Sequence, residues 1–412
     1  MDTILIIDYG SQYNMLISRR IREMNVFSLV VPFHEPLHIT KDIKGIILSG
    51  GPDSVFEAGA PNLNHRIFNC GVPILGICYG MQLLVNAFRG TISNAQKREY
   101  GKQTIKQVSK GHLNQNLSPS SIVWMSHSDQ VDTLPKGFSV LAESEHAIAM
   151  IEHHDKHIYG VQFHPEVTHT EEGQTLLENF VYHICKAKPN YQMDMFLDQQ
   201  IENIKNKVKD DSVILGLSGG VDSTVCAALI SKAIGKNLTC IFVDTGLLRK
   251  DEALDVMKGY GVLKDLNIVK VDAKKKFYTA LKGVTDPEHK RKTIGKVFFE
   301  VFENEKAKYQ NAAFLAQGTI YPDVIESISV KGPSKTIKSH HNVGGLPKQN
   351  QFKLLEPLRE LFKDEVRSLG LSLGLSPDMV FRHPFPGPGL GIRIIGEVTE
   401  ESVMVLQEAD AI

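Results

Sequence analysis

This chain of 412 residues is most informative first in what it lacks. It carries almost no net charge: Lys and Arg number 46 against 47 Asp and Glu, for a formal −1, so no global field argues for nucleic acid or an anionic membrane as partner. Its five cysteines (Cys70, Cys78, Cys185, Cys226 and Cys240) are scattered and form no CxxC pair, which speaks against a disulfide framework and for a reducing cytoplasm. The amino terminus, MDTILIIDYG, has an acid at position 2 and only a short apolar run, so it is neither the charged region nor the apolar core of a signal peptide. No apolar run approaches the roughly 20 residues needed to span a bilayer. No Gly-Lys-Ser/Thr phosphate loop occurs either. What remains, at 42% apolar and 23% charged residues, is an ordinary globular composition in a chain long enough for two or three domains.

The stretch that organises the chain is Ser212 to Ser223, SVILGLSGGVDS, an apolar strand running into small and hydroxylated residues. Behind it Thr224 to Ile234 has helical spacing, so the loop lies at a helix amino terminus, where free N–H groups and the positive dipole end favour an anion. Gly219 and Gly220 allow close backbone approach, and the Ser218 and Ser223 hydroxyls can donate to phosphate oxygens. On these six residues alone, a Gly-rich turn without a ligand stays open as the alternative. SGGVDS resembles the pyrophosphate-binding loop of the ATP pyrophosphatases. The resemblance implies ATP on Ser218, Gly219, Gly220, Val221, Asp222 and Ser223, adenylylation of a substrate oxygen, and release of pyrophosphate.

The first third alternates short apolar runs (4 to 7, 26 to 31, 46 to 48) with a helical pattern over about 11 to 24, the rhythm of a parallel sheet wrapped by helices. In Val72 to Phe88 a strand turns into a helix through Gly76-Ile77-Cys78-Tyr79-Gly80, a nucleophile-elbow pattern with cysteine at its centre. Cys78 is thus a candidate nucleophile, the alternative being a buried core cysteine. In IYGVQFHPEV, His164 and Glu166 are two apart and fall on one side of an extended segment, so the carboxylate can orient a ring that accepts the thiol proton; a solvated pair is the alternative. Gly51 and Tyr79 N–H groups are candidates for an oxyanion hole.

Together DYGSQ (8 to 12), LSGGP (48 to 52), GICYGMQ (76 to 82) and FHPE (163 to 166) resemble a class I glutamine amidotransferase domain. The resemblance implies attack of Cys78 on the glutamine side-chain amide, proton transfer by His164 and orientation by Glu166. It also implies that Gln82, Ser126, His127, Ser128 and Asp129 hold glutamine. From 102 to 151 alternating strands predict an antiparallel extension of the sheet. His146, His153, His154 and His157 read there as surface or strand-end residues, not a zinc site. A helix over 174 to 185 closes the domain.

After the phosphate loop, the strand 238 to 243 ends in Asp244, with Arg249 five residues on, placed for ligands at the carboxyl edge of a doubly wound sheet. Asp222 and Asp244 are candidates to share Mg2+ with the triphosphate, oxygen being that ion's preferred donor. Lys290-Arg291-Lys292 reads as a solvated helix face. The segments AFLAQGTIYPDVIES (313 to 327) and SHHNVGGL (339 to 346) resemble the glutamine-hydrolysing GMP synthetases, which implies xanthosine monophosphate (XMP) near Gln317, Gly318, Thr319, Asp323, His341 and Arg249. Residues 331 to 351, poor in apolar groups, predict a lid. RHPFPGPGLGIRII (382 to 395) reads as a rigid connector into a new strand and resembles the start of that family's dimerisation domain.

The expected architecture is therefore α/β with two doubly wound domains. Residues 1–189 form the amidotransferase, 190–384 the ATP pyrophosphatase, and 385–412 the beginning of a truncated α+β domain. The resemblance implies small-molecule partners glutamine, ATP and XMP, a cytoplasmic setting, and a homodimer. Because the dimer contacts lie in the carboxyl-terminal domain, dimerisation and full synthetase activity are in question for a chain ending at Ile412. Other ATP pyrophosphatases, an NAD synthetase or a tRNA-thiolating enzyme, and a non-catalytic ligand binder are the alternatives.

Overall fold

Apolar runs without alternation make strands buried on both faces, and Thr3–Asp8 (β1) is one: its first five residues are buried. The computed structural model describes residues 1–52, 54–57, 59–261, 266–309, 312–327, 352–383 and 387–412. Its contacts divide into two units, Met1–Gln192 and Met193–Ile412.

In the first unit β1 is followed by helix α1 (Asn14–Glu23), β2 (Phe27–Pro32), β3 (Ile43–Leu48), β4 (Ile74–Ile77) and helix α2 (Tyr79–Ala87). Then come β5 (Thr91–Gln107), β6 (Ser120–Thr133), β7 (Phe138–Glu143), β8 (Ile148–His153), β9 (Ile158–Val161) and helix α3 (Gly173–Glu178). Among the described residues these strands form one nine-stranded sheet, ordered β2-β1-β3-β4-β9-β8-β7-β5-β6. From β2 to β9 the pairs are parallel. From β9 outward they are antiparallel, the extension expected from the alternating sequence. Alternation in β6 buries Val123, Met125, His127, Asp129 and Val131 on one side, so two polar residues enter the interior by register alone.

The turn after β4 is built by absent side chains. A Cβ on Gly76 would lie 2.6 Å from Gly80 and Met81 backbone atoms, and one on Gly80 would lie 2.3 Å from the Leu48 carbonyl oxygen of β3. We expect Gly80→Ala to cost about 1–3 kcal/mol by overpacking, lowering Tm by roughly 2–12 °C. An unshifted melt would show that β3 yields there without strain.

The second unit opens with α4 (Met193–Val208), whose Phe196, Leu197, Ile201, Ile204 and Val208 are buried. It continues with β10 (Ser212–Leu217), α5 (Val221–Ile234), β11 (Leu238–Asp244), α6 (Glu252–Tyr260), β12 (Asn267–Asp272), α7 (Lys274–Leu281), α8 (Pro287–Lys306), β13 (Ala312–Ala316) and α9 (Tyr321–Ser327). Beyond these lie β14 (Lys353–Leu355), α10 (Lys363–Ser372), α11 (Pro377–Val380) and α12 (Glu400–Asp410). The five-stranded sheet, ordered β12-β11-β10-β13-β14, is parallel throughout. Chain order reverses between β10 and β13, and in such sheets the crevice at the carboxyl ends of the strands flanking that switch is where ligands bind.

Four local expectations are corrected. The stretch after the Pro-Gly connector is a 3-10 turn, Gly389–Ile392, not a strand: Leu390 and Ile394, a helical four apart, bury together against Leu247 and Ile294, and Leu390 N–H donates to Leu247 O at 2.7 Å. With Val398 and Val403 these residues belong to the core of the second unit. The closing helix of the first unit is α3 followed by a π-type stretch, Asn179–Ile184. His153 does end β8 but is buried, packed edge-on to Phe138, and its pKa is lowered by that burial. Lys290 is not on the solvated face of α8: it is fully buried and donates from Nζ to Ile394 O at 2.7 Å, while Arg291 pairs with Glu288 in solvent. No helix among the described residues is long and apolar enough to cross a membrane.

Candidate active site

Cys78 sits between β4 and α2 at φ 52°, ψ −108°, a backbone conformation strained for any residue with a Cβ. Its N–H is held by Val161 O of β9 at 2.7 Å. The side chain, 5% exposed, touches Ser126 O and Gln162 Nε2, each 3.7 Å from Sγ. Tyr79, next in the chain, begins α2, so its N–H has no intrahelical acceptor. Gly51 packs on Tyr79, where a Cβ would reach the ring at 3.2 Å and Tyr9 O at 2.9 Å.

His164 comes just after β9 and is fixed by its backbone, its N–H donating to Trp124 O at 3.0 Å and its own carbonyl accepting from Thr170 Oγ1 at 2.6 Å. Its Nδ1 lies 2.8 Å from Glu166 Oε1, and the ring is hydrogen-bonded to Cys78. Burial, the largest single influence, disfavours the imidazolium. The Glu166 charge and the hydrogen bonds to Cys78 and Glu166 together outweigh it and hold the pKa well above 6.5. Glu166 is itself fully buried, with Oε2 lacking a hydrogen-bond partner, so the ring is its compensation.

A raised folded-state pKa means that protonated His164 adds stability fully present below about pH 6.5 and lost as pH rises through the folded value. Glu166→Gln removes the charge while burial remains. The ring's titration, read by NMR of histidine-labelled protein, should move to lower pH and the pH-dependent stability should shrink. An unmoved titration would take Glu166 out of this role.

On β6, His127 Nδ1 faces Asp129 O at 3.0 Å and Nε2 faces Glu99 Oε2 at 3.3 Å. Burial outweighs the Glu99 charge there and lowers the His127 pKa. His127 therefore has both nitrogens engaged by protein. Asp129 is buried with Oδ1 unpartnered, while Ser126 and Ser128 alternate to the half-buried side. Gln82 of α2 donates through Nε2 to Asp129 O at 3.0 Å. Sequence reasoning missed Glu99, Gln162 and Tyr13, whose ring meets His164 edge-on with centroids 4.9 Å apart. Gln162 and Tyr13 lie in or beside stretches singled out for other residues; Glu99 carried no signal.

In the second unit the loop after β10 takes the anticipated form. Gly219 has φ +76° and Gly220 precedes the first residue of α5. Ser218 and Ser223 hydroxyls are 2.9 Å apart, and Ser223 Oγ donates to Gly220 O at 3.0 Å. Val221 and Asp222 make the first turn of α5. Gly318, beyond β13, packs on that turn, since a Cβ there would lie 2.9 Å from Asp222 C. The structure thus brings Gln317-Gly318-Thr319 beside the phosphate loop. Gln317 Oε1 is buried and without a hydrogen-bond partner. Thr319 Oγ1 donates to Glu356 at 2.6 Å, and Asp323 accepts Ile320 N–H at 3.0 Å.

Other anticipated residues are engaged differently. Asp222 is paired through both oxygens with Lys363 Nζ of α10, at 2.8 and 2.7 Å. Asp244 is paired with Lys270 at 3.2 Å and Lys274 at 3.6 Å. Arg249 pairs with Asp410 of α12 at 3.0 Å, and Glu252 joins the Arg249 backbone to Arg382. His341 and the expected lid lie outside the described residues. Lys363, Arg382 and Glu356 were invisible in the sequence, being far along the chain from the loops they serve. Among the described residues no cluster of three or more His, Cys, Asp or Glu has the arrangement to hold a metal.

Comparison with known proteins adds the family. Residues 5–184 match the model described as glutamine amidotransferase class-I, and residues 192–308 that described as NAD synthase. A curated GMP synthase [glutamine-hydrolyzing] of Fusobacterium nucleatum is 57% identical over 412 residues, covering 99% of this chain and 80% of the relative. One of Brachyspira hyodysenteriae is 54% identical, covering 100% and 81%. A third, of Mesoplasma florum, is 55% identical, covering 99% and 80%. An elbow cysteine with its histidine and glutamate in one unit, the SGGVDS loop at the switch point of the other, and this likeness along the whole chain place it in the glutamine-hydrolysing GMP synthase family.

Proposed function

We propose that the chain makes GMP from XMP with glutamine as nitrogen donor, through two half-reactions that its own residues divide between them. In the first, Cys78 Sγ attacks the glutamine side-chain carbonyl carbon, and the oxyanion accepts N–H groups of Gly51 and Tyr79. His164 passes the thiol proton to the leaving nitrogen, so ammonia departs and a thioester remains. Water activated by His164 then releases glutamate and free thiol. Glu166 keeps His164 oriented and its charged form stabilised. The orphaned Asp129 Oδ1 supports a role in holding the substrate's ammonium group, with Gln82 bonded to the Asp129 backbone and with Ser126 and Ser128, on the half-buried face of β6, as further glutamine contacts. His127, with both nitrogens taken, acts through the Asp129 backbone.

In the second, the XMP C2 oxygen attacks the α-phosphorus of ATP, pyrophosphate leaves, and ammonia displaces AMP from C2. Ser218 to Ser223 hold the phosphates at the head of α5. The buried, unpartnered Gln317 Oε1 supports contact with a purine donor group, with Gly318, Thr319 and Asp323 beside it and Arg249 and His341 as further XMP contacts. Asp222 and Asp244 would be the residues to hold Mg2+, carboxylate oxygen being that ion's preferred donor, and each is paired with lysine in this structure. When bound it neutralises charge on the departing pyrophosphate. All five cysteines are unpaired, which supports a cytoplasmic setting.

The observation that carries the assignment is the buried His164 held between Cys78 and Glu166. The test is GMP formation from ATP, Mg2+ and XMP, with glutamine and with ammonium in parallel. GMP from both is expected; glutaminase activity with GMP from neither source would overturn the synthetase half.

A further inference from the structure

We propose that Gln162 is the amide donor that holds the Cys78 sulfur as a thiolate, oriented for that task by a relay running from Asp129 O through Gln82. The inference rests on Cys78 being the nucleophile, and it begins from amide chemistry. A side-chain amide offers a donor at one end and an acceptor at the other, so its orientation is fixed once one neighbour can only accept. Asp129 O can only accept, and it lies 3.0 Å from Gln82 Nε2. That NH2 group is also 3.4 Å from the far end of Gln162, which must therefore present its oxygen, Oε1. The opposite end of Gln162 is then necessarily NH2, and it lies 3.7 Å from Cys78 Sγ. Gln162 is fully buried and its backbone N–H is tied to Ala149 O at 2.9 Å, so water does not compete for the amide.

The sulfur's other contacts are the His164 ring, hydrogen-bonded to it, and Ser126 O. Ser126 O, also 3.7 Å from Sγ, accepts from a thiol and repels a thiolate. Gln162 does the reverse, because a hydrogen bond to a charged acceptor is stronger than one to a neutral acceptor. The titratable and charged groups around the sulfur are His164 with Glu166 from the segment after β9, His127 and Asp129 from β6, Glu99 from β5, and Arg20 of α1, whose Nε donates to Glu166 O. All of these remain when Gln162 alone is changed.

The experiment is the pH dependence of Cys78 alkylation by iodoacetamide in the full chain, read by mass spectrometry of the Cys78 peptide. In Gln162→Leu the midpoint should rise by about one pH unit, and glutaminase kcat at pH 7 should fall about tenfold with glutamine KM little changed. Gln162→Glu keeps the size, replaces the donor with a charge of the thiolate's sign, and should raise the midpoint further. A midpoint unmoved in either folded variant overturns the proposal. In the unmutated protein, a glutamine side-chain NH2 resonance should titrate with the same midpoint and stop titrating in Cys78→Ala; its absence would also overturn it. Glutaminase that survives complete alkylation of Cys78 would instead overturn the nucleophile assignment.

Discussion

Cys78→Ala should abolish glutamine-dependent GMP formation, by at least about 10⁴-fold, while synthesis from ammonium continues at close to the original rate. The size comes from the chemistry: without sulfur no thioester forms, and neither His164 nor the Gly51 and Tyr79 N–H groups supplies a replacement nucleophile. The fold has little reason to change. Alanine keeps the Cβ that already occupies the strained φ of 52°, and what is lost is two long sulfur contacts at 3.7 Å and the hydrogen bond to the His164 ring. The assay pairs glutamate release with GMP formation from each nitrogen source. Residual glutaminase would remove Cys78 from the role, whatever became of GMP.

Asp222→Ala should do the converse, lowering GMP formation from both nitrogen sources by about a hundredfold or more while glutamine hydrolysis continues. Asp222 stands on the first turn of α5, where the triphosphate is to be held, and it keeps Lys363 Nζ within 2.8 Å of that turn. Its removal takes away the oxygen donor proposed for Mg2+ and the partner that anchors Lys363. The pair is partly exposed on both sides, so its loss should cost at most about 1 kcal/mol of stability, and the rate change reports function. Pyrophosphate release measured with ATP and XMP is the direct reading. A normal rate would end the assignment of Ser218 to Ser223 as the ATP loop.

Local chemistry made the elbow, the phosphate loop and the His164–Glu166 pair legible in the chain. Each is contiguous: glycines that must lack a Cβ, a turn with small residues, two side chains two apart just after a strand. The parallel core and its antiparallel extension were legible for the same reason, since continuous and alternating apolar runs mark strands covered on both faces and on one. What the sequence hid was pairing at long range. Lys363 lies 141 residues from Asp222, Gln162 lies 84 from Cys78 and Lys290 lies 104 from Ile394. Lys290 misled because a cation within a basic run looks solvated, and only the carbonyl waiting for it shows otherwise. The partner of Arg249 was hidden in the same way, since Asp410 of α12 lies far along the chain from it. The 3-10 turn at Gly389 to Ile392 was hidden by Pro-Gly composition, which marks a break in structure without specifying the type of the next element.

The attachment of α12 ties the carboxyl-terminal helix to the loop that leaves β11. The helix is fastened along one side: Asp410 holds Arg249 and Arg393, Glu408 holds Lys250, and Gln407 donates to Leu248 O, while Met404 and Val405 face solvent. Those ties all end on the loop that leaves β11 or on the turn before α12 itself, so the helix and the loop protect one another's amides. In native-state hydrogen exchange they should therefore behave as a single cooperative unit, with one opening event setting the exchange of both.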